Sequence, residues 1–155
     1  MSFDEIYQAY VDTVYGFLMF KLRDEHLVED ILQETFLAVY QNTDNFKKIS
    51  SPKAWILSIA HNKMVDHLRK GYENEHSLVT ELVADENHDF SNNLFLQEAF
   101  GQLEDTARTI LYGLYVEGLS YQELSLILDI PEGTVKSKAH YARKKLRHWL
   151  QEGSK

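Results

Sequence analysis

Seven side chains near the C-terminal end have the types and spacing to grip DNA: Lys136, Ser137, Lys138, His140, Tyr141, Arg143 and Lys144. Serine, histidine and tyrosine offer hydrogen bonds to base edges, while lysine and arginine bind backbone phosphates. At 100° per residue, Val135, Ala139, Ala142, Leu146 and Trp149 fall within about 80° of one another, an apolar stripe that packs a helix against its own domain. Ser137, His140, Tyr141, Lys144 and His148 fall opposite, flanked by Lys136, Arg143, Lys145 and Arg147. The early turns of such a helix enter the major groove. Lys136, Ser137, His140 and Tyr141 are therefore expected near base edges, and Lys138, Arg143, Lys144 and Arg147 at phosphates. Upstream, Leu119 to Leu128 reads as a short apolar helix, and Asp129-Ile130-Pro131-Glu132-Gly133 as a tight turn. The unit is a helix-turn-helix.

Its positive charge is local, because the chain of 155 residues carries a net charge of −8. Residues 131–155 hold seven basic and two acidic side chains, and residues 46–70 hold six and one. Between them, residues 71–105 hold nine acidic side chains and no basic one. Two basic segments separated by an acidic one predict two DNA-touching surfaces on separate bodies.

Other chemistry finds little support. The chain has no cysteine, which excludes disulfides, thiolate metal sites and a cysteine nucleophile. Asp30 and Glu34 lie one helical turn apart but accompany no pocket motif, and the seven histidines form no His-x₃-His or His-Glu-x-x-His run. No phosphate-binding glycine loop occurs. The reading is a protein without catalytic residues, metal or cofactor. No window approaches the roughly 18 apolar residues that cross a bilayer, and Met1-Ser2-Phe3-Asp4-Glu5 lacks the basic flank of a signal peptide. A cytoplasmic protein with no direct membrane insertion is expected.

The elements that position these residues are helices. Phe3, Ile6, Tyr7, Tyr10, Val14, Phe17 and Leu18 recur at three- and four-residue steps, predicting a helix from about Phe3 to Arg23. A second is expected from about Leu27 to Asn42, with Val28, Ile31, Leu32, Thr35, Phe36 and Val39 buried. A third begins at Ser51-Pro52, where serine can cap and proline suits the first turn, and ends at Gly71. Its apolar residues (Trp55, Ile56, Leu57, Ile59, Ala60, Met64, Val65 and Leu68) spread around the axis rather than forming a stripe. From Gly71 to about Asn93 the periodicity fades, predicting a linker with a short helical piece at Ser77 to Val83. Leu94, Phe95, Ala99, Phe100 and Leu103 then mark one helix, and Ala107, Ile110, Leu111 and Leu114 another. The fold class is all-α: a helical domain over 1–70, a flexible acidic linker over 71–93 and a second helical domain over 94–155.

The chain resembles a known family. Gly118-Leu119-Ser120-Tyr121-Gln122-Glu123-Leu124 followed by Ile130-Pro131-Glu132-Gly133-Thr134-Val135-Lys136-Ser137 is similar to domain 4 of bacterial sigma factors. Val28-Glu29-Asp30-Ile31-Leu32-Gln33-Glu34-Thr35-Phe36-Leu37 resembles region 2.2 of the same proteins. Phe46, Pro52 through Asn62 and Asp66-His67-Leu68-Arg69-Lys70 resemble regions 2.3 and 2.4. The nearest group is the compact extracytoplasmic-function (group 4) sigma-70 proteins, and the likeness covers nearly everything outside the linker.

The resemblance implies an alternative sigma factor that binds core RNA polymerase, recognises the −35 element with its second domain, and recognises and melts the −10 element with its first. Asp30, Gln33, Glu34, Leu37 and Gln41 then form the core-binding surface, which grips the β′ clamp helices; the β flap is the other expected polymerase contact. Melting needs positive charge for the backbone and aromatic or amide groups for an unstacked base. Phe46, Lys47, Lys48, Lys53, Trp55, Asn62, Lys63 and Arg69 provide them, with Asn62 and the preceding loop holding a flipped base. Phe46 also suits a structural role, and Trp55 suits either the core or base stacking. Lys136, Ser137, Lys138, His140, Tyr141, Arg143 and Lys144 read the −35 element. Lys138 and Tyr141 stand where family members often carry arginine, and tyrosine cannot make arginine's bidentate contact to guanine. Promoter DNA and an anti-sigma factor complete the expected partners. The other class compatible with the helix-turn-helix is a DNA-binding regulator that does not bind core polymerase.

Overall fold

The computed structural model describes residues 2–74 and 94–153, and the side chains of 2–71 and 98–152. Every regular element among them is helical: α1 (Phe3–Leu22), α2 (Glu25–Gln41), the single turn α3 (Thr43–Phe46), α4 (Pro52–Asn74), α5 (Leu94–Gly101), α6 (Asp105–Tyr115), α7 (Tyr121–Leu128) and α8 (Glu132–Gly153). The chain divides into two compact units, Met1–Asn87 and His88–Lys155.

In the first unit α1, α2 and α4 pack pairwise on one another. Ser2 starts α1 by accepting from the Glu5 N–H at 3.3 Å, and Asp24 starts α2 by accepting from the Leu27 N–H at 3.3 Å. Arg23, at φ 55°, is left-handed and turns the chain between the two helices. Ile6, Val14, Leu18, Val28, Ile31, Val39, Ile56, Leu57 and Ala60 are buried, so the three helices share one apolar core. Thr35 is buried among them, its hydroxyl donating to the Ile31 carbonyl at 2.8 Å.

Two boundaries differ from the sequence reading. The turn α3 lies within the stretch read as the loop before α4, and it seats Phe46 in the core at 5% exposure. α4 passes through Gly71 to Asn74, so the first four residues assigned to the linker are helical. A helical glycine costs only about 1 kcal/mol relative to alanine, which continuing backbone hydrogen bonds offset. Ser51 caps α4 as expected, accepting from the Ala54 N–H at 3.4 Å. The helical piece expected at Ser77 to Val83 lies outside the described residues.

In the second unit α5, α6 and α7 all contact α8. Leu103, Ala107, Leu111 and Ala142 form a buried cluster flanked by Phe100, Leu114 and Leu146. Leu103 lies beyond the end of α5, in the connection to α6. Gly118, at φ 67°, supplies the left-handed residue that ends the turn after α6, and the Leu119 N–H then reaches the Gly113 carbonyl at 2.8 Å. Among the described residues no helix is long and apolar enough to cross a membrane.

Candidate nucleic-acid and polymerase interface

α7 and α8 form the helix-turn-helix. Ser120 and Glu123 cap α7 reciprocally: the Glu123 N–H donates to Ser120 Oγ at 3.0 Å, and the Ser120 N–H donates to Glu123 Oε1 at 2.9 Å. The Ser-x-x-Glu spacing of residues 120–123 is the sequence signature of this cap. Asp129, at φ 55°, closes α7, and Ser125 Oγ donates to the Ile130 carbonyl at 2.6 Å to brace the turn. The Pro131 carbonyl accepts from the Val135 N–H at 3.1 Å, so α8 begins at Glu132 and takes in Glu132 and Gly133, the last two residues of the expected turn.

The stripe expected to seat α8 is buried at Val135, Ala139 and Ala142, and half-buried at Leu146 and Trp149. Lys136, Ser137, His140, Tyr141 and Lys144 are exposed together on the other side, Tyr141 at 66% with its ring 5.3 Å from that of His140. Lys138 and Arg143 are half-buried and engaged within the unit. Lys138 Nζ donates to Glu104 Oε1 at 2.6 Å. Arg143 donates to the phenol oxygens of Tyr121 and Tyr115, each at 3.3 Å; these bonds, Tyr121's foremost, raise its already high pKa. Lys136 lies 3.7 Å from Glu132 and 5.9 Å from the ring centre of Tyr121. Glu104 and Tyr115 carry no signal in the sequence pattern, and Tyr121 enters it only within the family-like run, because each acts across elements brought together only by folding.

On the first unit, Asp30, Gln33, Glu34, Leu37 and Gln41 are exposed along one side of α2, with Leu37 at 57%. Tyr40, 63% exposed and edge-on to Phe3 with ring centres 5.3 Å apart, adds an aromatic that sequence reading left out. Of the residues expected at melted DNA, Trp55, Asn62 and Arg69 recur at seven-residue steps and so share one side of α4. Arg69 pairs with Asp66 at 2.9 Å. Lys47 and Lys48 are exposed, Lys63 is half-buried on the flank, and Lys53 starts α4 on the side turned toward the core. Phe46 is not at the surface: it sits between Tyr10 and Trp55, with ring centres 6.3 Å from each. The α3 turn carries it inward, where it packs against the half-buried Trp55.

A helical bundle and a separate helix-turn-helix unit with a basic second helix define a two-part DNA-binding protein of transcription. Comparison with known proteins agrees with this class. Residues 6–73 match sigma-70 region 2, and residues 96–146 match sigma-70 region 4. The chain is 33% identical to the ECF RNA polymerase sigma factor SigM of Bacillus subtilis, over 99% of this chain and 98% of that protein. It is 30% identical to SigW of the same organism, over 97% and 90%. The fold resembles that of the sigma factor RpoE from Bartonella quintana, solved with the anti-sigma factor NepR, at TM-score 0.77 and 23% identity over 96% of both chains. It also resembles CnrH, solved with the cytosolic domain of CnrY, at TM-score 0.64 and 22% identity over 97% and 88%.

The chain belongs to the extracytoplasmic-function RNA polymerase sigma factors of the sigma-70 family. It is an alternative sigma factor directing transcription initiation, and the reading as a regulator independent of polymerase is not favoured.

Proposed function

We propose that the two units divide promoter recognition, with residues 1–70 binding core polymerase and the −10 element and residues 94–155 reading the −35 element. The observation that carries this is the exposed side of α8, where Lys136, Ser137, His140, Tyr141 and Lys144 stand together on a helix whose other side is buried. Ser137, His140 and Tyr141 face base edges from the early turns, and Lys144 reaches a phosphate; Lys136, expected at a base edge, stands on the flank with Arg143 and Arg147 and is assigned to a phosphate instead. Arg143, held by two phenols, presents a fixed guanidinium at the groove wall.

The α2 surface of Asp30, Gln33, Glu34, Leu37 and Gln41 grips the β′ clamp helices. An exposed leucine ringed by carboxylates and amides supports this, since interface centres combine an apolar anchor with a polar rim. A groove of about 450 Å³ lined by Phe100, Leu111, Tyr115, Leu146 and Leu150, together with Arg143, Arg147 and Gln151, offers the second unit a largely apolar seat for the β flap. On α4, Asn62 holds a flipped −10 base, Trp55 borders it, and Lys63 and Arg69 bind the backbone together with Lys47 and Lys48 from the connection before the helix; Lys53 contributes at the start of the helix. The polymerase performs all the chemistry, and this chain acts in the cytoplasm without catalytic residues. An anti-sigma factor is its regulator, a reading supported by the structural relative RpoE, solved with the anti-sigma factor NepR.

The test is transcription in vitro from a mixed pool of genomic promoter fragments, with core polymerase alone and with the protein added. Start sites appearing only with the protein support the reading and give both promoter elements. Silence with folded protein and a cognate core would sink it.

A further inference from the structure

The pair Glu104–Lys138 joins the residue before α6 to the second turn of α8, with a 2.6 Å bond between side chains that are 60% and 35% exposed. Its position on α8 gives it meaning. Lys136, Arg143 and Arg147 fall within about 40° of one another on one flank of the helix, and Lys138 and Lys145 within about 20° on the other. A helix in the major groove meets a phosphate wall on each flank. One wall is therefore offered three cations and the other two, and Glu104 occupies one of those two.

We infer that Glu104 is an autoinhibitory residue that competes with a backbone phosphate for Lys138 and so lowers the affinity of the second unit for DNA. This rests on the reading that α8 enters the major groove. Docking has two courses: Lys138 leaves Glu104 for a phosphate, or the pair stays intact and a carboxylate faces the DNA backbone. Either course weakens binding, and neither depends on base sequence, because phosphates carry no sequence information. Glu104 is free to do this because its side chain makes no capping hydrogen bond to α6. The consequence is that the free protein spends less time on arbitrary genomic DNA, where phosphate contacts supply essentially all the affinity.

The experiment uses the full chain and two unrelated 30-base-pair duplexes, one A·T-rich and one G·C-rich, with binding followed by fluorescence anisotropy across a salt series. Glu104→Gln is expected to tighten binding to both duplexes by the same factor, about threefold, the scale of one exposed ion pair. Its salt dependence should steepen by about 0.9 in log–log slope, the signature of one further phosphate neutralised. In a Lys138→Gln background the same change should yield less than half that gain. Glu104→Ser, which keeps an oxygen for the helix start, must reproduce the gain and guards against a folding artefact in the glutamine variant. Unchanged affinity, a gain confined to one duplex, or a gain undiminished without Lys138 overturns the inference. A parent protein that binds neither duplex at low salt overturns it together with the groove-docking reading, whereas a parent that binds while Glu104→Gln binds no tighter overturns the inference alone.

Discussion

Glu34 Oε2 contacts His67 Nε2, tying the outward side of α2 to α4 across the first unit. The same carboxylate belongs to the surface proposed to hold polymerase, and the same histidine lies two residues from Arg69 on the helix proposed to hold the −10 element. Both side chains are substantially exposed, at 45% and 33%, so water screens the contact and its contribution to stability is below about 1 kcal/mol. Glu34→Ala is therefore expected to leave the urea midpoint nearly unchanged while weakening core polymerase binding about tenfold, the effect of an interface contact rather than a structural one. A stability loss above about 2 kcal/mol with intact core binding would make Glu34 a strut of the bundle instead.

Leu37 gives the sharper version of that test. At 57% exposure it packs little against its own unit, so Leu37→Asp should melt within a few degrees of the parent. A charge at the centre of an apolar contact is nonetheless expected to abolish association with core, measured by co-elution on size exclusion, and with it core-dependent transcription. Retained co-elution would remove the α2 surface from the proposed interface.

Phe46 and Trp55 separate support from contact. Phe46→Ala removes a buried ring and should cost about 3–5 kcal/mol of stability in the first unit by chemical unfolding. A Phe46→Ala protein of undiminished stability that fails only to melt promoters would reverse the assignment and make Phe46 the base-stacking residue.

What the sequence disclosed, and what it hid, follows from the range of the interactions. The stripe Val135, Ala139, Ala142 and the exposed set around Tyr141 are periodic in one helix, and local periodicity is readable without a fold. Periodicity also marks Asp30 to Gln41 as a polar face, but only the family resemblance makes it a candidate polymerase surface. Phe46 was not fully placed because its burial depends on α3, a four-residue turn too short to show a period. Lys138 looked like any phosphate-binding lysine until folding set Glu104 beside it. Gly71 was read as a stop by its residue type, yet a glycine in the run of α4 is only mildly unfavourable.

Tyr112 predicts an alkaline signature. Burial pushes its phenol well above the ordinary value of about 10, and the charge of Glu117, whose Oε1 is 3.5 Å from the hydroxyl, pushes it further the same way. A pKa higher in the folded than in the unfolded chain means that the stabilisation is complete below about pH 10. It is lost as pH rises toward the folded value, since the unfolded state releases its proton first. Of the nine tyrosines, at least one should stay un-ionised in the native protein at pH 11 by ultraviolet titration and ionise on adding urea. In Tyr112→Phe the difference between native and urea titrations should shrink by one phenol. A difference unchanged by that substitution would assign the protected phenol elsewhere.

Gly113 is the point where α6 has no room for a side chain. A Cβ placed there would stand 2.5 Å from Leu124 Cδ2 and 3.3 Å from its Cγ. Leu124, at 1% exposure, is with Ile127 one of the two buried residues by which α7 holds its place, so moving its terminal methyl disturbs a packed core. The better helix propensity of alanine, worth up to about 1 kcal/mol, works against this clash and is the smaller effect. Gly113→Ala is therefore expected to destabilise the second unit by about 1–2 kcal/mol net. Because the displaced element is the first helix of the helix-turn-helix, duplex affinity should fall with it. The first unit, which shares none of these contacts, should keep its core binding. Thermal unfolding, duplex anisotropy and co-elution with core separate these effects, and an alanine variant as stable as the parent would show that α7 can shift outward without cost.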